Sequence, residues 1–347
     1  MRVFVAMSGG VDSSVAAALL LEQGHDVTGV TMQLWDASDS DNGCCSVSAV
    51  RDAKRVCDLL GIPHYTLNYR ELFDREVVDG YAAEYGAGRT PSPCIVCNDR
   101  LKFSDLLARA SLQGAEALAT GHYARVARDD AGVPWVARGV DADKDQSYFL
   151  YRLTRAQLDH VLFPVGDLAK SEVRAFAERL GLPVARKAES QDACFAPEGP
   201  VPVLEKRAPN ALVAGDIVDE QGRVLGRHAG IGRYTIGQRK GLGLAGGPWF
   251  VIAIDPHPNR VVVGPEGSDR VTRIAAADVV WHEGAPEQVE AQVRYRTRPV
   301  PARAEHVGGK LTVVLGEPVA GVAPGQAVVC YRGDLVVGGG TILWTAS

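Results

Sequence analysis

Val3-Phe-Val-Ala-Met-Ser-Gly-Gly-Val-Asp-Ser-Ser14 is the stretch of sequence that decides the fold. The apolar run Val3–Ala6 predicts a strand, the two glycines predict a tight turn, and the apolar run Val15–Leu21 predicts a helix. Glycine lets backbone amides approach an anion closely, and the N-terminus of a helix is positively polarised. A strand, a glycine turn and a helix in this order therefore predict a phosphate-binding loop.

The loop differs from two common nucleotide-binding patterns. It has no lysine where a GxxxxGK[ST] loop carries one, and its glycines do not follow the GxGxxG spacing. Asp12 is unusual because a carboxylate inside an anion-binding turn repels a phosphate, and a Mg²⁺ ion between the two would remove this repulsion. An ordinary Gly-Gly turn between a strand and a helix is the alternative interpretation.

Predicted strands and helices alternate as far as Phe195. The later strands are Val27–Met32, His64–Asn68 and Ala117–Thr120, and the helices are Ser48–Leu60, Arg100–Leu112 and Ser171–Leu180. Such alternation predicts a parallel sheet flanked by helices, with ligands at the carboxyl ends of the strands. Ser8, Met32 and Gly121 lie at such ends, so we expect them to contact one ligand.

The composition is that of a globular protein. The chain has 347 residues, of which 46% are hydrophobic and 23% charged, and a net charge of −5. No apolar run approaches the roughly 20 residues that span a bilayer, and we see no signal peptide. We therefore expect a cytoplasmic protein without a membrane partner.

Two stretches of the second half carry basic residues but no acidic residue, namely Gln221–Ile254 and Ala291–Ala304. Local positive charge of this kind can bind a polyanion although the whole chain is acidic. A solvated basic surface is the alternative interpretation.

The pattern of the sequence changes after Phe195. The segment Ala196–Asn210 is rich in proline and glutamate and is expected to be a linker, and short β-type runs separated by turns follow it. We expect an α/β protein with three domains: a parallel-sheet domain at 1–196, a small β-rich domain at 197–270 and an antiparallel β-barrel at 271–347.

The seven cysteines fall into different contexts. Cys57 and Cys330 lie in apolar runs and are expected to be buried, whereas Cys44 and Cys45 have no evident role. Cys94 and Cys97 form a CxxC pair, which by itself is compatible with zinc, redox or iron–sulfur chemistry. No second CxxC or nearby pair of histidines completes a zinc site. Asn98 is expected to cap a following helix, whose N-terminus would stabilise the neighbouring thiolate.

A third candidate thiol, Cys194, stands in Ser190-Gln-Asp-Ala-Cys-Phe195. With this segment the chain resembles the tRNA-specific 2-thiouridylases of the ATP pyrophosphatase (PP-loop) superfamily. The matching motifs are SGGVDSS at 8–14, PSPCIVCN at 91–98, GHYARV at 121–126, KDQSYFL at 144–150, FPVGDLAKSEVR at 163–174, SQDACF at 190–195 and GRHAGIGRYTIGQRKGLGL at 226–244. The resemblance covers nearly the whole chain.

The resemblance implies an N-terminal domain like the adenine-nucleotide alpha hydrolases and an ATP-dependent sulfurtransferase. ATP would adenylate the uracil C2 oxygen of the wobble uridine, position 34 of tRNA. The implied ATP-binding residues are Ala6, Met7, Ser8, Gly9, Gly10, Val11, Asp12, Ser13, Met32 and Gly121, and Asp12 would hold Mg²⁺ on the phosphates.

The resemblance also implies the thiol chemistry and the tRNA contacts. Cys194 would carry a persulfide received from a cysteine desulfurase or a sulfur-relay protein, and Cys97 would be the nucleophile that resolves it and leaves a disulfide. Contacts to the anticodon stem-loop are implied for Ser92, Pro93, Cys94, His122, Lys144, Asp145, Gln146, Arg294, Tyr295 and Gln326.

One position departs from the family pattern. Many members carry aspartate, with a general acid–base role, where this chain has Cys94. Cys94, Cys97 and Cys194 could therefore hold a [4Fe–4S] cluster, which is the alternative route to the same product. A PP-loop amidating synthetase and a tRNA-binding module with structural cysteines are the alternatives from other classes.

Overall fold

The structure is a computed structural model and describes residues 1–34, 47–188, 193–282 and 284–346. These residues form two compact units, which are described separately. The first unit comprises Met1–Val77, Cys94–Pro197 and Asp334–Val336, and the second comprises Val78–Pro93, Glu198–Gly333 and Val337–Ser347. Cys44 and Cys45, like the Ser190–Asp192 part of the Cys194 motif, lie outside the described residues.

The helices and strands have the following bounds. The helices are α1 (Val11–Glu22), α2 (Val47–Leu60), α3 (Arg70–Phe73), α4 (Asp79–Gly86), α5 (Pro93–Val96), α6 (Leu107–Leu112), α7 (Arg155–Leu158), α8 (Lys170–Arg179) and α9 (Val201–Arg207). The strands are β1 (Arg2–Ala6), β2 (Asp26–Gln33), β3 (His64–Asn68), β4 (Ala117–Ala119), β5 (Ala124–Arg128), β6 (Pro134–Arg138), β7 (Val161–Leu162), β8 (Gly215–Val218), β9 (Val224–His228), β10 (Phe250–Asp255), β11 (Arg260–Gly264), β12 (Val271–Trp281), β13 (Gln288–Gln292), β14 (Val300–Val307), β15 (Lys310–Val319), β16 (Ala327–Arg332) and β17 (Leu335–Ala346). Wider, π-type helical turns occupy Asp74–Val78 and Cys97–Leu106.

A parallel sheet forms the centre of the first unit. Its strand order is β3-β2-β1-β4-β7, so the first strand of the chain lies in the middle. Val3 and Val5 of β1 are fully buried and pack in one core with Val15 and Ala16 of α1. Because β1, β2 and β4 run parallel as neighbours, Ser8, Met32 and Gly121 follow or end strands at the same edge. The predicted parallel sheet is confirmed, and the binding of a ligand at this edge stays a prediction.

Burial explains two of the cysteines. Cys57 on α2 and Cys330 on β16 are fully buried thiols, as the sequence predicts. Desolvation raises the pKa of Cys57 to about 11 and that of Cys330 to about 12. Both side chains therefore stay protonated at neutral pH and act as small apolar groups.

The prediction of a linker at Ala196–Asn210 is wrong, because this segment contains helix α9. Pro200 and Pro202 stand at the beginning of the helix, where proline is tolerated because the first amides lack intrahelical partners. Leu204 is fully buried and packs with Ala211 and Ile231 in a core of the second unit. The proline-rich and glutamate-rich composition of this segment therefore gave no indication of a short amphipathic helix.

From Gly215 onwards the second unit is mainly β-structure, as predicted. The sheet β10-β11-β8-β9 forms the small central part. The strands β12-β15-β14-β13-β16-β17 pair in this order, and β12 also pairs with β17, which closes a six-stranded antiparallel barrel. Among the described residues, no helix combines the length and the apolar composition needed to cross a bilayer.

Candidate active site

Two glycines shape the turn between β1 and α1. Gly9 has a φ of +68°, and a Cβ atom there would lie 2.3 Å from the carbonyl oxygen of Ala49, so only glycine fits. The Ser13 hydroxyl accepts a hydrogen bond from the Ser8 amide at 3.2 Å and donates one to the Gly10 carbonyl at 3.3 Å. These bonds fix the curvature of the loop.

Helix α1 begins without a side-chain cap. Gly10 occupies the N-cap position and offers no side-chain acceptor to the first-turn amides. Gly121 lies against this turn, since a Cβ atom on it would be 2.5 Å from the Ser13 backbone nitrogen. First-turn amides at the positive end of a twelve-residue helix suit a phosphate ligand.

Two donors hold the carboxylate of Asp12. Its Oδ1 accepts from the Tyr123 hydroxyl at 2.7 Å and from Lys170 Nζ at 2.6 Å. The Lys170 side chain is only 10% exposed, and its ammonium lies 5.5 Å from the centre of the Tyr123 ring. The Lys170 ammonium compensates the charge of Asp12 in the first turn of α1. From the sequence, this compensation is expected from Mg²⁺ alone.

Asp12 still fits a Mg²⁺ ion. Its recorded hydrogen bonds converge on Oδ1, and within the described part of the chain none is made to Oδ2. Mg²⁺ is usually held by one or two carboxylates together with substrate phosphates. The second oxygen could therefore bind the ion while Lys170 stays on the first.

A second lysine supports the loop from the other side. Lys187 Nζ donates to the Gly9 carbonyl at 3.0 Å and to the Asp52 carboxylate at 2.7 Å. This bridge ties the loop to α2 and adds positive charge near its glycines. Ala6, Met7 and Val11 complete the loop as part of the buried or half-buried scaffold.

The Lys144-Asp145-Gln146 segment packs on Tyr123. The Gln146 side chain accepts a hydrogen bond from the Tyr123 amide at 3.0 Å, and the Gln146 amide donates to the Tyr123 carbonyl at 2.8 Å. The Asp145 carboxylate accepts from the amides of Gly139 and Ser147. Lys144 is half-buried. The side chains of Asp145 and Gln146 thus have internal partners, and the tRNA contacts of this segment stay predictions.

His122 is held as a neutral imidazole. Burial and the nearby Lys102 lower its pKa well below the ordinary value. Its Nδ1 lies 2.7 Å from the Thr120 hydroxyl, and its ring is about 6 Å from the rings of Phe103 and Phe163. A neutral histidine cannot attract a phosphate by charge, so any contact of His122 with tRNA would be a hydrogen bond or a stacking contact.

The CxxC pair lies on a helix that begins earlier than expected. Helix α5 starts at Pro93 and continues directly into the helical segment Cys97–Leu106. Asn98 is therefore inside the helix and does not cap it; its side chain accepts from Lys102 Nζ at 2.8 Å and donates to the Phe149 carbonyl at 3.2 Å. Cys94 is exposed in the first helical turn, and half-buried Cys97 lies one turn further on. Stabilisation of a thiolate by the helix N-terminus thus applies to Cys94 rather than to Cys97.

Cys194 lies in a turn. The Ala196 amide donates to the Ala193 carbonyl at 2.8 Å, and the neighbouring Phe195 packs edge-on against Phe73 with ring centres 5.7 Å apart. Cys94, Cys97 and Cys194 are thiols, and Cys194 is half-buried. Within the described residues no three His, Cys, Asp or Glu side chains come together as a metal-binding group. The three thiols do not fit a [4Fe–4S] cluster in this arrangement.

In the second unit, Gln326 binds the segment that leads to Ser92 and Pro93. Its amide nitrogen donates to the carbonyls of Thr90 at 2.8 Å and Pro91 at 3.3 Å. The Thr90 amide also donates to Pro324, and its hydroxyl lies 2.6 Å from that of Thr235. The structure therefore brings Gln326 together with the segment before the CxxC pair.

Arg294 and Tyr295 lie on a turn of the barrel. Arg294 is exposed, and its carbonyl accepts the Thr297 amide at 3.1 Å and hydroxyl at 2.6 Å. The guanidinium of Arg296 lies 5.3 Å from the centre of the Tyr295 ring. This turn presents a cation and an aromatic ring, a combination that suits RNA.

Sequence reasoning missed Lys170, Tyr123 and Lys187 as parts of the site. Lys170 and Tyr123 stand in the motifs FPVGDLAKSEVR and GHYARV, but neither motif shows on its own which side chain reaches the loop. A lysine at the start of a helix and a tyrosine after a buried strand were the available signals.

Three family models match successive parts of the chain. They are described as the tRNA methyl transferase HUP domain (residues 1–198), the tRNA methyl transferase PRC-barrel domain (residues 202–265) and the aminomethyltransferase beta-barrel domain (residues 271–342). The first covers more than half of the chain.

Curated relatives match over almost the full length. The tRNA-specific 2-thiouridylase MnmA of Carboxydothermus hydrogenoformans is 50% identical over 98% of this chain and 97% of its own. The protein of the same name from Moorella thermoacetica is 52% identical over 97% of this chain and 98% of its own. A solved 4-thiouridine synthetase–RNA complex with bound ATP is 18% identical with a TM-score of 0.38, covering 60% of this chain and 50% of that one.

Proposed function

The chain belongs to the tRNA-specific 2-thiouridylase family, and we propose that it converts the wobble uridine of tRNA, position 34, into 2-thiouridine with consumption of ATP. The observation that carries this proposal is the uncapped, glycine-lined N-terminus of α1 with Lys170 beside it. It supports a site for the phosphates of ATP in a chain whose relatives are named for tRNA thiolation. Because its substrate would be tRNA, we expect the protein to act in the cytoplasm.

ATP serves to make the uracil oxygen a leaving group. The C2 carbonyl oxygen attacks the α-phosphate, pyrophosphate departs, and the O-adenylated C2 becomes electrophilic. The first-turn amides of α1 and the Lys170 ammonium would stabilise charge on the departing pyrophosphate. Asp12 would hold Mg²⁺ through Oδ2, and the ion would neutralise the phosphates.

The thiols supply what replaces the oxygen. Cys194 receives a persulfide from a cysteine desulfurase or a sulfur-relay protein, and the terminal sulfur attacks C2 while AMP leaves. The Cys97 thiolate then attacks Cys194 Sγ, which breaks the S–S bond, leaves sulfur on C2 and forms a Cys97–Cys194 disulfide. A two-electron thiol reductant restores both thiols. The half-buried thiol state of both residues supports this proposal.

Recognition of tRNA uses residues of both units. Arg294 and Tyr295 would contact the anticodon stem, and Lys144 with His122 would approach the anticodon loop. Ser92, Pro93 and Cys94 would line the rim against the flipped base, since a reacting base must leave its stack. The anchoring of Thr90 and Pro91 by Gln326 supports an ordered rim.

The experiment that tests the proposal follows ATP and tRNA together. Purified protein, ATP, Mg²⁺, a persulfide donor and unmodified tRNA should release pyrophosphate only when tRNA is present and should yield 2-thiouridine. Pyrophosphate release with an amine acceptor and without tRNA would indicate an amidating synthetase. Transfer of a methyl group from S-adenosylmethionine without pyrophosphate would favour the activity in the descriptions of the family models, and tRNA binding without either reaction would leave a binding module.

A further inference from the structure

A continuous set of hydrogen bonds joins the Lys144–Gln146 segment to the phosphate-binding loop. Gln146 makes two hydrogen bonds with the backbone of Tyr123, one from its amide and one through its side-chain oxygen. The Tyr123 hydroxyl donates to Asp12 Oδ1 at 2.7 Å. One residue therefore bridges the segment that resembles a tRNA contact and the first turn of α1.

The bridge has little freedom to move. Tyr123 is 3% exposed, and a Cβ atom on Gly139 would lie 2.8 Å from the Tyr123 carbonyl oxygen, so the two backbones are in close contact. Asp145 in turn binds the Gly139 amide at 3.0 Å. A displacement of the Asp145–Gln146 backbone must therefore displace Tyr123 or break these bonds.

We infer that Tyr123 is a positioning residue that transmits tRNA binding at Lys144–Gln146 to the carboxylate of Asp12. The inference rests on the proposed function, because it assumes ATP at the α1 loop and tRNA at this segment. The inference explains why the side chain of Gln146 binds the Tyr123 amide, an orientation that a direct contact with tRNA would not explain.

The hydroxyl has a specific effect on Asp12. With both donors on Oδ1, Oδ2 keeps one orientation relative to the first turn of α1. Without the hydroxyl, Lys170 Nζ is the one remaining donor to the carboxylate among the described residues, and a carboxylate with a single donor can rotate. The bridge therefore sets the orientation of Asp12 in response to the position of the Gln146 segment.

The test compares two conservative substitutions. Tyr123→Phe removes only the hydroxyl and keeps the ring under Lys170 and the backbone bonds to Gln146. Tyr69→Phe is the matched control: Tyr69 is 1% exposed, donates to Asp105 at 2.6 Å and lies under a cation, Arg109, with 5.3 Å between guanidinium and ring centre. Both variants lose a buried tyrosine-to-aspartate hydrogen bond beside a cation.

We measure the kcat of pyrophosphate release at saturating tRNA as a ratio to the wild-type kcat, and the KM for tRNA. Tyr123→Phe should lower the tRNA-stimulated kcat about tenfold with little change in KM, as expected for one lost hydrogen bond to a charged group. Tyr69→Phe should keep the wild-type kcat even if its melting temperature falls as much as that of Tyr123→Phe. Amide hydrogen exchange at Ser8–Ser14 should slow on addition of an anticodon stem-loop in wild type and in Tyr69→Phe, but not in Tyr123→Phe.

The failures are distinguishable. A wild-type protein without tRNA-dependent pyrophosphate release would reject the proposed function and the inference with it. A wild-type kcat in Tyr123→Phe, or an equal fall of kcat in both variants, would reject the inference alone and leave the sulfurtransferase assignment in place.

Discussion

Lys170 Nζ lies 2.6 Å from Asp12 Oδ1, although the two residues are 158 positions apart in the chain. Lys170 begins helix α8, and Asp12 lies in the first turn of α1. Because the lysine is largely buried, its charge needs a compensating anion, which is Asp12 here and would include phosphate when a nucleotide binds. The pair links helix α8 to the turn between β1 and α1.

Replacing Lys170 should separate its chemical role from its structural one. Lys170→Met removes the cation that we propose stabilises the leaving pyrophosphate, and it should lower tRNA-dependent pyrophosphate release by about 100-fold, the usual loss for one stabilising donor. Lys170→Arg should keep part of the rate. A stopped assay of pyrophosphate, with urea unfolding of each variant, measures both roles.

The control for this prediction is Lys54→Met, which breaks an exposed 3.1 Å ion pair with Asp58. It should change neither the rate of pyrophosphate release nor the free energy of unfolding appreciably. If Lys170 acts only on folding, Lys170→Met should lose stability but keep the wild-type rate of pyrophosphate release per folded molecule. We expect that rate to fall.

The loop itself could be predicted because its determinants are local. Gly9 needs a positive φ and close approach to Ala49, and the strand, turn and helix around it lie within two dozen residues. Lys170 and Tyr123 could not be predicted, because they reach Asp12 across 158 and 111 positions. The packing of α8 against α1 and the pairing of β4 with β1 bring them there.

The errors in the sequence interpretation have local causes. The prolines of Ala196–Asn210 were interpreted as signs of a linker, yet Pro202 stands in the first turn of α9, where a missing amide costs nothing. Asn98 was expected to be a cap because the helix was expected to begin after it. An earlier start moves Cys97 one turn away from the N-terminus.

Substitution of either Cys97 or Cys194 by serine should abolish thiolation. A hydroxyl can neither carry nor cleave a persulfide, so we expect 2-thiouridine to fall by about three orders of magnitude or more. Retardation of tRNA in a mercury-containing gel measures the product. Cys330→Ala is the control: this thiol is fully buried with a raised pKa, so the variant should lose stability but keep activity per folded molecule. Full activity of Cys97→Ser would contradict the thiol route and favour an amidating enzyme.

Gly121→Ala should impair ATP binding. The new Cβ atom would lie 2.5 Å from the Ser13 backbone nitrogen and 2.7 Å from the Asp12 carbonyl carbon, so the first turn of α1 must shift. We expect the Kd for ATP, measured by calorimetry, to rise about tenfold or more. Gly80→Ala places a methyl group in open space and should leave the Kd alone. Unchanged ATP affinity in Gly121→Ala would argue against nucleotide binding at this turn.

Acid should destabilise the protein partly through His122. Its pKa is lowered in the folded state, so below the unfolded value of about 6.5 the unfolded chain binds a proton that the folded chain does not. The free energy of unfolding should therefore fall as the pH drops from 7 to 5. Burial also lowers the pKa of His64 and His228, which add to the same slope. His122→Asn should reduce the slope by about one proton in urea titrations, and an unchanged slope would show that His122 titrates normally.

Arg294→Ala should weaken tRNA binding in a salt-dependent manner. Arg294 is exposed on its turn, and a contact with a backbone phosphate releases a counterion, so its loss should lower the slope of log affinity against log salt by about one. Arg303→Ala is the matched control, because this exposed arginine of the same barrel already pairs with Glu287 at 2.9 Å. Filter binding of one tRNA between 50 and 200 mM salt, roughly the range over which such contacts are lost, measures both slopes. Equal slopes in wild type and Arg294→Ala would remove this turn from the tRNA interface, whereas a lower slope in Arg294→Ala alone would assign it a phosphate.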